Sequence, residues 1–141
     1  VSRHKERQEA LKILYSREFH LPGDVQFLER EILDDVVAEG SEQTVPLASY
    51  VTQLVQTVTD HKAELDAIIS ELAIDWDITR FNYTEKNIMR LALAELLYNT
   101  EETPAAVILN EAVMLAKEFC GEKAARFING MLGTFYRKRT R

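Results

Sequence analysis

Apolar residues in this chain recur every three or four positions, segment after segment, and nowhere alternate with polar residues between turn signals. That spacing matches the period of an α-helix, about 3.6 residues, and excludes half-buried strands, whose period is about two. Residues 3–19 gather Ala10, Leu11, Ile13, Leu14 and Tyr15 on one side of a first helix, with Lys5, Lys12 and Ser16 on the other. Leu21-Pro22-Gly23-Asp24 reads as a turn, and a second helix spans about 25–39 on Phe27, Leu28, Ile32, Leu33, Val36 and Val37, stopped by Gly40. A polar loop, 41–46, ends at Pro46. The run 47–73 is long for one helix, and Thr57, Thr59 and Asp60 prefer caps and turns to helix interiors. It divides into 47–58 and 61–73, with a single unbroken helix as the alternative.

The stretch 74–83 is dense in aromatic residues. Trp76, Phe81 and Tyr83 pin a connector against the bundle or, in the rival reading, stack on bases. Asn82, three residues before Glu85, resembles an N-cap for a helix over 84–99, and Thr84 is a second candidate. Thr103 is expected to cap the next helix, with Pro104 at its first position, where the missing N–H costs nothing. That helix runs over 104–119 and ends at Gly121; the last spans about 123–137. The expected fold is all-α, an antiparallel bundle of about seven helices in two small subdomains, about 1–73 and 74–141.

A length of 141 residues suffices for a hydrophobic core without staples. A single cysteine excludes an internal disulfide framework and makes a cytoplasmic setting the default. No apolar run approaches the roughly 18 residues of a membrane span. The net charge of -6 speaks at first against nucleic acid, but the charges are unevenly placed. Residues 1–12 hold Arg3, Lys5, Arg7 and Lys12 against Glu6 and Glu9. Residues 126–141 hold Arg126, Arg137, Lys138, Arg139 and Arg141 and no acid, whereas 20–50 hold seven acids against Arg30. An acidic body with local basic footprints can still meet phosphate; the alternative is a pair of solubilising termini.

Arg3 and Arg7 continue the apolar stripe of the first helix rather than its solvent face. A buried unpaired guanidinium is expensive, so this end of the helix is expected to overhang the bundle or open onto a groove.

No catalytic constellation emerges. His4, His20 and His61 lack metal-ligand spacing, and Cys120 has no nucleophile motif around it, although a following helix start could lower its pKa. Asp75 and Asp77 flank Trp76 as loop and cap residues rather than as an acid/base pair. No glycine-rich phosphate loop is present, and no metal or cofactor is implied. Gly130 and Gly133 each cost about 1 kcal/mol within a helix and suggest close approach of another helix or of a ligand backbone. Asn110 and Asn129 sit among apolar residues, and a buried amide requires hydrogen bonds, so the two are expected to form a structural polar network.

Three blocks resemble a known family. RHKERQEALKILY (3–15) is similar to the arginine-rich opening and Leu-Tyr pair of the bacterial transcription antitermination factor NusB. NYTEKNIMRLALAELLY (82–98) resembles its central helix. PAAVILNEAVMLAKEFCGEKAARFINGML (104–132) carries the family's P-x-x-V-x-x-NEA, LAK-x-F and F-[IV]-NG-x-L elements in register. The resemblance implies two small helical subdomains and binding to the boxA element of nascent ribosomal-RNA leaders. It implies NusE, also small-subunit ribosomal protein S-ten, as partner, within an antitermination complex with NusA, NusG and RNA polymerase. By position it implies RNA contacts at Arg3, His4, Lys5 and Arg7, and at Glu122, Lys123, Arg126 and Phe127. Phe127 and Tyr15 either stack on bases or belong to the core. Some family members self-associate, which leaves monomer and homodimer both open.

The chain departs from the family's pattern in three places. His4 stands where arginine is common, Glu6 interrupts the basic run, and Lys123 takes a position that is often acidic. The same domain occurs fused ahead of a ribosomal-RNA cytosine methyltransferase, but a chain ending at Arg141 is expected to be the stand-alone factor. A helical protein-interaction module without direct RNA binding is the alternative, and the two differ in whether boxA-like RNA competes at moderate salt.

Overall fold

The computed structural model describes residues 2–18, 44–74, 81–98 and 102–139, with the backbone alone over 44–49. Six helices lie among them: α1 (Arg3–Ser16), α2 (Thr44–Asp60), α3 (Lys62–Ala73), α4 (Tyr83–Leu97), α5 (Ala105–Phe119) and α6 (Glu122–Arg139). No strand occurs among the described residues. The expected helix at 25–39, the turn before it, and Trp76 lie outside them.

Helix starts follow local chemistry. Ser2 caps α1 by accepting from the Lys5 N–H at 3.1 Å, and Asn82 caps α4 by accepting from the Glu85 N–H at 2.8 Å. α5 begins one residue later than expected and without a side-chain cap. Pro104 is extended (ψ 140°), and its carbonyl accepts the first bonds, from the Val107 (3.0 Å) and Ile108 (3.2 Å) N–H groups. The long run does divide, at His61, into α2 and α3.

The chain forms two compact units, residues 1–57 and 58–141. The division falls inside α2 rather than after α3, because α3 packs on α4 and α6. Within the second unit α4 touches α3, α5 and α6. A helix so surrounded must be apolar on every side, and Ile88, Met89, Leu91, Ala92, Leu93 and Ala94 are all buried. Arg90 is the exception within this run, at 5% exposure. Its guanidinium forks onto Asp66 of α3 (2.6 and 3.0 Å) and donates to Asn87 Oδ1 at 3.0 Å, so a carboxylate matches the buried charge and an amide takes a further N–H. A clip joins the start of α3 to the end of α4. The His61 and Tyr98 rings stack at 4.0 Å, and the Tyr98 hydroxyl donates to Glu64 at 2.7 Å.

Two neighbours in α1 exchange their expected places. Tyr15 is exposed and Ser16 is buried, the serine hydroxyl donating to the Ile13 carbonyl at 2.8 Å. A hydroxyl satisfied by its own helix can enter the core, while the phenol keeps its polar end in water.

Candidate nucleic-acid interface

At about 100° per residue, His4, Lys5, Gln8, Lys12 and Tyr15 share one arc of α1 about 100° wide. All five are exposed or half-buried, while Glu6, Arg7, Glu9, Ala10, Leu11, Ile13 and Leu14 are buried. The arc presents two ammonium groups, an imidazole, an amide and a phenol, which suits phosphates and unstacked bases. Gln8, within 3.4 Å of the His4 ring, is a member that charge counting alone passes over.

The expected row of guanidinium groups is divided. Arg3 overhangs, with 43% of its side chain exposed, and lies 3.7 Å over the Tyr50 ring while donating to Glu6 at 2.8 Å. Arg7, at 4% exposure, is buried and offers no surface to a phosphate. It falls in the middle of the apolar arc, one turn deeper than Arg3, where the helix is already covered. The lysines are also engaged. Lys5 (2.8 Å) and Lys12 (3.2 Å) both reach the buried carboxylate of Glu9. These pairs follow from i,i+3 and i,i+4 spacing, a signal present in the sequence.

The second candidate site begins where α5 stops. Gly121 adopts φ +102°, and its N–H closes on the Ala116 carbonyl at 2.9 Å, ending α5. Its own carbonyl accepts from the Ala125 N–H at 3.1 Å and so starts α6. Only glycine takes this conformation without strain. The turn sets Glu122, Lys123 and Arg126 in solvent while Ala124 and Ala125 enter the core. Neither Lys123 nor Arg126 has a carboxylate partner among the described residues. Phe127 is half-buried and tilts at 54° against Phe81, with ring centroids 5.9 Å apart. It therefore belongs partly to the packing and partly to the surface.

Other expectations change. Asn110 and Asn129 are both exposed, so no buried amide network exists between them; Asn110 donates to the Met114 sulfur at 3.5 Å. The two amides occupy solvent-facing phases of α5 and α6. At Gly133 an added Cβ would meet only the end of Arg137, at 3.3 Å, so no neighbouring helix requires the glycine. The Cys120 thiol is pushed up to about 11 by burial and by the charge of Glu85, the opposite of an activated nucleophile. Among the described residues no group of histidine, cysteine and carboxylate side chains could hold a metal, and no helix is long and apolar enough to cross a membrane.

The NusB family model matches residues 4–137. A transcription antitermination protein NusB from Chloroflexus aggregans is 38% identical over 133 residues, covering 94% of this chain and 85% of that protein. A crystal structure of the antitermination factors NusB and NusE in complex with double-stranded RNA contains a chain 29% identical to this one. It superposes with a TM-score of 0.75 and 96% coverage of both chains. NusB of T. maritima superposes with a TM-score of 0.79 at 26% identity, over 95% of this chain and 89% of that one.

Proposed function

The chain belongs to the NusB family, and from that premise we propose that it is a transcription antitermination factor that binds the boxA element of nascent RNA together with NusE. It acts by binding, without catalysis, in the bacterial cytoplasm, in an antitermination complex that also includes NusA, NusG and RNA polymerase. The observation that carries the RNA-binding part is the start of α6, where Lys123 and Arg126 stand in solvent beside Phe127 with no carboxylate partner among the described residues.

Exposed cations release counterions when phosphates replace them, which supplies salt-dependent affinity. The first N–H groups of α6 add donors at the same end of the helix. The half-buried ring of Phe127 and the exposed ring of Tyr15 offer aromatic surface to unstacked bases. Arg3, His4, Lys5 and Lys12 supply a second set of contacts, in which a phosphate must compete with Glu6 and Glu9. Arg7 supports α1 from within.

Fluorescence titration of a boxA RNA at moderate salt, with and without NusE, tests the reading. Binding that tightens when NusE is present is the expected result. Capture of NusE by a chain that ignores the RNA would instead leave a helical protein-interaction module.

A further inference from the structure

The last turn of α6 places Arg137, Lys138 and Arg139 in solvent, and no acid follows Glu122 on that helix. Beside it lies a cavity of about 290 Å³ lined by Leu96, Thr103, Ile108, Phe135, Tyr136 and Arg139. The Arg139 guanidinium sits 5.7 Å from the centroid of the Phe135 ring, a cation held near an aromatic face. Tyr136 remains 39% exposed. Two acids adjoin lining residues in the chain: Glu102, exposed, precedes Thr103, and Glu95, buried, precedes Leu96.

We propose that this cavity and the basic turn beside it form a second RNA contact, which takes a nucleotide flanking the segment held at the start of the same helix. Aromatic rings offer a stacking face to any base, and the guanidinium meets the phosphate. At about 290 Å³ the cavity lies at the lower end of small-molecule pockets, which begin at about 300 Å³, and so has room for no more than one nucleotide. An acidic peptide would need only the cluster of cations and would leave the aromatic lining of the cavity unused. Arg126 and Arg139 are about 20 Å apart along α6, at about 1.5 Å per residue, and about 140° apart around it, so a strand joining them crosses the helix obliquely. A strand stacked at about 3.4 Å per nucleotide needs roughly six nucleotides for the rise alone. The contact therefore engages only RNA that extends beyond the core element. The inference rests on the RNA-binding reading given above.

The test compares two RNAs, a boxA core and the same core carrying six uridines on each side. Each is titrated into the wild-type chain, R139A and Y136A, with thermal unfolding run in parallel. The wild-type chain binds the extended RNA roughly tenfold more tightly than the core, the gain of one stacked and charge-paired nucleotide. Both variants lose that advantage and bind the core within about twofold of wild type. No advantage from the extension in the wild type overturns the inference, as does an equal loss on both RNAs in R139A. R139A that leaves both RNAs untouched but weakens NusE binding assigns the cavity to protein instead. If neither RNA binds the wild-type chain, the RNA-binding reading itself falls and this inference with it.

Discussion

In α1, Arg3, Lys5 and Lys12 each lie within 3.2 Å of a carboxylate on the same helix. At the start of α6, Lys123 and Arg126 have no such partner among the described residues. Both segments are basic in sequence, yet they offer phosphate different things. A cation already neutralised by its own helix must exchange one anion for another, and the net gain is small. A cation facing water and counterions releases those counterions on contact with RNA. The start of α6 is therefore expected to supply the larger share of affinity and α1 a positioning share.

The largest expected effect separates burial from contact. R7A removes a buried guanidinium and lowers unfolding stability by about 3 kcal/mol, whereas R126A changes it by less than about 0.5 kcal/mol. Urea denaturation measures both, and equal losses would erase the distinction between the two segments. Next in size is RNA affinity itself. K123A/R126A weakens boxA binding roughly 30-fold and K5A/K12A roughly threefold, at about 1 kcal/mol for each open cation. The reverse ranking would transfer the main site to α1. A smaller effect runs in the other direction. E9Q frees Lys5 and Lys12 from their shared carboxylate and tightens RNA binding roughly threefold, with a steeper salt dependence. Weaker binding by E9Q would mean that Glu9 orients the lysines rather than silencing them.

The smallest effect concerns a carboxylate near the second site. Burial pushes the Glu85 carboxyl above its ordinary range, and its Oε2 has no hydrogen-bond partner. Because the folded pKa is raised, the protonated form favours folding below the unfolded value of about 4.3, and that contribution is lost as pH rises through the folded pKa. E85Q is thus expected to raise Tm at pH 7, with the difference fading towards about pH 4. A constant difference across that range would assign the effect to shape rather than charge.

Much of this was legible in the sequence, for identifiable reasons. Helix periodicity located α1 and α3 to α6 within a few residues, and Asn82 announced the start of α4, because those features depend on neighbours in the chain. The phase of Arg3 and Arg7 correctly flagged them as lying on the apolar side, yet their fates differ. Where a helix leaves the core depends on its packing partners, and one turn separates an overhanging guanidinium from a buried one. Asn110 and Asn129 misled because apolar neighbours in sequence are not neighbours in space; both amides occupy the solvent phase of their helices. Phe127 could not be assigned from spacing, since its half-burial depends on Phe81, far away in the chain. The pairing of two lysines with Glu9 was available from helical spacing, but the burial of that carboxylate was not.

The claim that RNA is held chiefly by the open cations at the start of α6 is tested most directly by the salt dependence of boxA affinity. Titrations between about 50 and 200 mM salt, for the wild-type chain and K123A/R126A, give the slope of log affinity against log salt. The expected slope is shallower by about 1.4 in the double variant, at about 0.7 for each lost contact to a single strand. An unchanged slope, or a wild-type affinity indifferent to salt, would contradict it.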